Sequence, residues 1–118
     1  MKWSVKFYPE ALKDLKSLDK SIQIKVLKAI DKVSENPLPA SEGGYGKPLG
    51  NKSGMNLTGL LKIKLRGDGV RVIYELERKK SGMSIVVIGV RADETVYRIA
   101  SDRTHNLHED VKKYEYKK

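Results

Sequence analysis

The chain has 118 residues and carries 24 Lys and Arg side chains against 15 Asp and Glu, which gives a formal net charge of +9. This length fits one small domain with a single core. There is no cysteine, which excludes a disulfide framework and a thiolate metal site, and two histidines near the C-terminus leave little for a histidine-based metal centre. The positive charge favours a polyanionic partner, either nucleic acid or an acidic protein.

The sequence also lacks the features of an exported or membrane protein. We find no signal peptide and no apolar run that is long enough to span a bilayer. We therefore expect a cytoplasmic protein. Because cysteine is absent and histidine is scarce, we also expect it to need neither a metal nor another cofactor.

The first 36 residues predict a strand followed by two helices. Residues 3–8 alternate large apolar with small or polar side chains, which is typical of a strand. Pro9 can open a first helix, and Asp19 can cap a second one. Asn36–Pro37 ends the second helix, because a residue before proline disfavours the helical conformation. The two helices would lay one apolar face on a sheet, and the outward lysines of the second are most simply a solvated face.

Residues 37–58 hold three of the four prolines and show little periodicity. They predict a long loop, and loops of this length in a small domain are usually functional or mobile.

Residues 60–74 predict a hairpin of two short strands. Lys62, Lys64 and Arg66 alternate with aliphatic residues, so they would share one face of the first strand. The sequence Gly67-Asp68-Gly69 suits a tight turn. The simplest interpretation of this strand is an amphipathic one with a solvated basic face.

Residues 84–91 are almost continuously aliphatic, which predicts a central strand covered on both faces. Asp93 can then cap a short helix, and residues 105–118 would form a polar tail outside a domain of residues 1–104. The predicted fold class is α+β, with element order β-α-α-β-β-β-α. It would have a small, largely antiparallel four-stranded sheet, the helical hairpin packed on it and a short C-terminal helix.

Five side chains from the hairpin, the last strand and the last helix are predicted to converge on one patch: Lys62, Lys64, Arg71, Arg91 and Tyr97. No well-placed carboxylate or histidine accompanies them, which argues against an ordinary acid–base pair. A cluster of cations suits a phosphodiester, because preorganised positive charge acts most strongly where negative charge develops.

Structural interpretations of the same residues remain open. Arg71 and Arg91 could be surface ion-pair partners of nearby carboxylates, namely Glu75, Asp93 or Glu94. Tyr97 could simply be a core aromatic residue with its hydroxyl at the surface.

The order of these segments resembles the RelE/ParE superfamily of bacterial toxins, the toxic halves of toxin–antitoxin pairs, over roughly residues 3–103. The resemblance is carried by motifs at residues 11–15 (ALKDL), 36–37 (NP), 61–66 (LKIKLR), 69–74 (GVRVIY), 88–91 (IGVR) and 96–97 (VY). It implies a RelE-like fold.

The branches of this superfamily have different targets. RelE-type members cleave messenger RNA in the ribosomal A site, whereas ParE-type members poison DNA gyrase. The RelE branch relies on two lysines, two arginines and a tyrosine, which match the five residues named above. The complete set favours a ribosome-dependent endoribonuclease. The alternatives are a ParE-like gyrase inhibitor and a module that binds RNA or the ribosome without cutting.

The resemblance implies a metal-independent reaction in which the ribose 2′-OH attacks the adjacent phosphorus. Lys64 or Tyr97 would take the 2′-OH proton, or Tyr97 would stack on a base. Arg71 would hold the non-bridging oxygens, ideally in bidentate fashion. Lys62 and Arg91 would stabilise the phosphorane and the departing 5′-oxygen.

Two further cations, Arg66 and Lys47, are predicted to bind the RNA backbone rather than take part in the chemistry. The implied partners are the ribosome, its messenger RNA and a small, acidic antitoxin that folds on binding.

Overall fold

The computed structural model describes residues 2–52, 54–90, 92–105 and 114–115, which form three α-helices and one six-stranded sheet. In chain order the elements are β1 (Ser4–Phe7), α1 (Pro9–Lys16), α2 (Lys20–Val33), β2 (Lys47–Lys52), β3 (Met55–Leu65), β4 (Val70–Glu77), β5 (Gly82–Gly89), α3 (Asp93–His105) and β6 (Tyr114–Glu115). The predicted α+β class and the predicted order of helices and hairpin strands are confirmed.

The strands lie in the order β2-β3-β4-β5-β1-β6. Strand β1 pairs in parallel with β5, and every other neighbouring pair in the described sheet is antiparallel. The predicted count of four strands is too low, because β2 and β6 were not recognised. Both lie at the edges of the sheet, where a strand needs only one hydrogen-bonded neighbour and little apolar patterning.

The prediction that residues 37–58 form a loop is wrong for the second half of that segment. Residues 47–52 form β2, and β3 already begins at Met55. Strand β2 was not predicted because it contains Pro48 and Gly50, two residue types that are uncommon within strands. Both are tolerated here because β2 lies at the edge of the sheet. The register of β2 against β3 also shifts between these two residues.

The helices follow their apolar stripes. Ala11 and Leu15 of α1 are buried, as are Val26, Ile30 and Val33 of α2. Asp19 stands at the predicted N-cap position of α2, although its side chain makes no capping hydrogen bond. None of the helices in the described part of the chain is long and apolar enough to cross a membrane.

Strand β5 is the buried centre of the sheet, as its aliphatic sequence predicts. Residues 82–88 are all buried between β4 and β1. Against β4, Ile73 pairs with Val87 whereas Tyr74 pairs with Ile85, so Val86 is the extra residue of a bulge.

An ion pair between α1 and α3 contacts β5 beside this bulge. Arg103 Nη1 donates to the Val86 carbonyl at 2.9 Å and to Asp14 Oδ2 at 2.7 Å. The same Asp14 oxygen accepts the Ile88 N–H at 3.0 Å. These contacts tie α3 to the centre of the sheet and so fix the helix that carries Tyr97.

The C-terminal region differs from its predicted form. Helix α3 has 13 residues, so it is longer than the short helix expected. Tyr114 and Glu115, expected in a polar tail, pair with Phe7 and Lys6 at the free edge of β1. The domain boundary at residue 104 remains a prediction.

Candidate active site

The β3–β4 hairpin places three of the predicted cations together. Lys64 pairs in register with Arg71, and Lys62 lies two residues before Lys64 on the same face of β3. Gly69 closes the hairpin with a φ of 67°, a conformation that glycine adopts without steric cost. The side chains of Lys62 and Arg71 are only 16% and 17% exposed, so their charges are partly shielded from water.

Helix α3 brings Tyr97 onto this cluster. Lys62 Nζ donates a hydrogen bond to the Tyr97 hydroxyl at 2.8 Å and lies 5.4 Å from the centroid of its ring. The Tyr97 ring is buried, as the interpretation of a core aromatic residue requires. Its hydroxyl, however, is directed at the predicted cation rather than at open solvent.

A carboxylate that the sequence analysis left out of the site completes the cluster. Arg71 Nε donates to Asp93 Oδ1, and Lys62 Nζ lies 3.9 Å from Asp93 Oδ2. The expectation that no carboxylate accompanies these cations is therefore wrong. The alternative interpretation of Arg71 as an ion-pair partner of Asp93 describes its contact in this structure.

The cations act on the charge state of Asp93. Desolvation raises the pKa of this carboxyl, but the hydrogen bond from Arg71 and the charges of Lys62, Arg71 and Lys64 outweigh it. The net pKa is therefore below its ordinary value, and Asp93 is ionised at neutral pH. Lys64, which is itself exposed, thus contributes to the cluster through its charge.

One signal in the sequence could have placed Asp93 in the site. Asp93 and Tyr97 are four residues apart on one helix, and residues at this spacing share a face. A helix that directs Tyr97 at Lys62 therefore brings Asp93 to the same cluster.

The remaining predicted residues lie around this centre. Lys47 is exposed on β2 and pairs in register with Lys62, so the two share a face of the sheet. Arg66 is exposed in the turn that follows β3. Arg91 falls outside the described residues, so its place in the site stays a prediction.

Chemically, the cluster is an anion site with three cations to one carboxylate. Lys and Arg suit phosphate oxygens, and partial burial strengthens their attraction for an anion because less water screens it. The hydroxyl of Tyr97 adds a group that can exchange a proton with a ligand bound there.

Comparison with known proteins shows which family this chain resembles. Residues 5–100 match the family described as the ParE toxin of type II toxin-antitoxin system, parDE. An Escherichia coli protein named as a RelE-like toxin is 35% identical over 104 residues, which cover 87% of this chain and 98% of that protein.

Solved structures show the same fold. Free RelE toxin of E. coli, with two arginines replaced by alanine, matches with a TM-score of 0.69 and 26% identity over 87% of this chain and 98% of that one. The RelBE2 toxin–antitoxin complex of Mycobacterium tuberculosis matches with a TM-score of 0.62 and 24% identity, over 79% of this chain and 95% of that one. The chain therefore belongs to the RelE/ParE family of type II toxin–antitoxin toxins, and within that family it is RelE-like.

Proposed function

We propose that this toxin is a ribosome-dependent endoribonuclease that cleaves messenger RNA in the A site and so inhibits translation in the cytoplasm. The observation that carries the proposal is the contact between Lys62 and the Tyr97 hydroxyl, with Arg71 on the neighbouring strand. It brings together three of the five residues that match those on which RelE-type toxins rely, within one partly buried cationic site.

In the proposed reaction the 2′-oxygen forms a bond to phosphorus while the bond to the 5′-oxygen breaks. Tyr97 or Lys64 takes the proton from the 2′-OH, and the departing 5′-oxygen takes up a proton from water. The products are a 2′,3′-cyclic phosphate and a free 5′-OH. This reaction needs no metal ion.

Each cation has a distinct part in that scheme. Arg71 holds the non-bridging oxygens, and its limited exposure makes each hydrogen bond to a charged oxygen stronger than it would be in water. Lys62, which donates a hydrogen bond to the Tyr97 hydroxyl, stabilises the phosphorane. Arg91 acts on the leaving oxygen, while Lys47 and Arg66 bind the backbone on either side.

The partner that neutralises this activity is proposed to be a small acidic antitoxin. Complexes of RelE with RelB are among the solved structures with this fold, including the intact E. coli RelBE complex. A net charge of +9 suits an acidic segment that orders on binding.

A second candidate function follows from the family description, which names ParE. A ParE-like protein would inhibit DNA gyrase by binding it, and substitutions at Tyr97 or Arg71 would then leave inhibition unchanged unless they touched the interface.

Primer extension on a defined message in a reconstituted translation system distinguishes these functions. Wild-type protein is compared with Lys62→Ala and Arg71→Ala, and with Arg98→Ala as a control. Arg98 lies on α3, is 64% exposed and pairs with Glu94. Removing one preorganised charge contact costs about 10²–10³ in rate, so both site variants should lose cleavage and the control should keep it.

The outcomes separate the candidates. Breaks within A-site codons that need ribosomes and disappear in Arg71→Ala support the nuclease. Intact message with arrested translation indicates binding without cleavage. Intact message with normal translation, together with inhibited gyrase, indicates the ParE-like function.

A further inference from the structure

The Asp93 carboxylate lies where an anionic ligand of the cluster would bind. Its Oδ1 accepts from Arg71 Nε, and its Oδ2 lies 3.9 Å from Lys62 Nζ. A phosphodiester likewise presents two anionic oxygens from one centre, and it uses the same cations. The two anions would compete, because the hydrogen-bond donors facing Asp93 cannot serve both at once.

Asp93 is not the only group that holds these cations in place. Arg71 Nη1 also donates to the Gly69 carbonyl at 2.8 Å, and Lys62 is hydrogen-bonded to Tyr97. Both cations would therefore keep a protein partner if the carboxylate moved away.

The position of Asp93 would also allow its carboxylate to turn away from the cations. Its side chain is 40% exposed, and it is the first residue of α3, so rotation about its side-chain bonds would take the carboxylate into solvent without disturbing the helix. It has the position of an ion that a ligand can displace.

We propose that Asp93 is an internal competitor that occupies the phosphate-binding cations of the free toxin and must be displaced when RNA binds. This competition weakens the binding of free RNA, which is not held by a ribosome, because such RNA must first displace Asp93 from Arg71 and Lys62. A further consequence rests on the proposed function: a message held by the ribosome has a high effective concentration at the site and overcomes the competition. Asp93 thereby restricts cleavage to ribosome-bound message.

The test compares Asp93→Asn with Glu94→Gln. Asparagine keeps the shape of Asp93 and an oxygen that can accept from Arg71, but it removes the charge that competes with phosphate. Glu94→Gln makes the same change of charge in the same turn of α3, at a side chain that is 63% exposed and pairs with Arg98. Any general effect of net charge or of the helix terminus appears in both variants.

The probe is a short fluorescent RNA in which every 2′-OH is methylated, so that it binds but cannot be cleaved. We expect Asp93→Asn to bind it about 3- to 10-fold more tightly than wild type, the range of a partly exposed charge contact. Glu94→Gln should change the affinity by less than about 2-fold, and the salt dependence of binding should steepen in Asp93→Asn alone. Asp93→Ser, which also lacks the charge, should behave like Asp93→Asn and serves if the latter folds poorly.

Equal tightening in Asp93→Asn and Glu94→Gln would overturn the proposal, because it would reduce the effect to net charge. Unchanged or weaker binding in both Asp93→Asn and Asp93→Ser would also overturn it, and weaker binding would make Asp93 a positioning residue for Arg71.

Cleavage gives a second, separable readout. Asp93→Asn should raise the rate at which unmethylated free RNA is cut relative to the rate on ribosome-bound message, compared with the same ratio for wild type. If no form of the protein cuts message but the binding pattern holds, the proposed nuclease fails and the competitor stands. If wild type cuts on ribosomes but Asp93→Asn binds no more tightly, the competitor fails and the nuclease stands.

Discussion

Replacing Arg103 with alanine should destabilise the fold by about 2–3 kcal/mol, although the residue lies near the end of the last helix. Its guanidinium bonds to both oxygens of Asp14, at 2.7 and 3.2 Å, and to the Val86 carbonyl at 2.9 Å. The substitution removes all three contacts, which join α3 to α1 and β5.

The magnitude follows from burial. Breaking a fully buried ion pair costs about 3–5 kcal/mol, and an exposed pair contributes about 0–1 kcal/mol. The Arg103 and Asp14 side chains are 18% and 21% exposed, which places the pair nearer the buried limit. Asp14 keeps the Ile88 N–H after the substitution, which lowers the cost, while the Val86 carbonyl loses the guanidinium.

Urea unfolding followed by circular dichroism measures this change. In thermal unfolding, a decrease of about 2–3 kcal/mol in the free energy of unfolding corresponds to a fall in Tm of about 10 °C for a domain of this size. Arg98→Ala is the matched control, because it removes an exposed arginine from the same helix and should cost less than about 0.5 kcal/mol. Equal effects of the two substitutions would refute the role of the Arg103 contacts.

Three further outcomes are expected. Tyr97→Phe removes only the hydroxyl that accepts a hydrogen bond from Lys62. It should lower the cleavage rate about 10- to 100-fold and the free energy of unfolding by less than about 1 kcal/mol. An unchanged cleavage rate would show that this hydroxyl is not needed. Tyr74→Phe should cost about 1–3 kcal/mol in urea unfolding, because it strips the buried Pro37 carbonyl of its 2.7 Å hydrogen bond; a neutral effect would contradict this. Burial raises the pKa of the Tyr8 and Tyr74 hydroxyls above that of an unfolded tyrosine, about 10. The free energy of unfolding should therefore be constant up to about pH 10 and fall above it, because only the unfolded chain then loses these protons. A urea midpoint that does not change between pH 8 and about pH 11 would contradict this prediction.

Local patterns in the sequence determined most of the fold. Helical spacing of apolar residues located α1 and α2, and the aliphatic run of β5 located the centre of the sheet. Alternation along β3 placed Lys62 and Lys64 on one face, because side chains of a strand point to opposite sides in turn. These features depend on neighbours within a few residues, which a sequence displays directly.

The edges of the sheet depended on tertiary pairing. Strand β2 contains Pro48 and Gly50, and β6 has only two residues, so neither has the composition of a strand. Each is a strand because its backbone meets that of a neighbour already in place. Pairing of this kind is a property of the assembled sheet and leaves little trace in local composition.

The charge balance of the site was likewise decided in three dimensions. The sequence alone predicted Lys62, Arg71 and Tyr97 as site residues, but it indicated for Asp93 only a position at the start of a helix. Only the packing of α3 on the hairpin, held by Arg103 and its partners, brings that carboxylate between the cations. Electrostatic partners are determined by distance in space, and Asp93 lies 22 positions after Arg71 in the sequence.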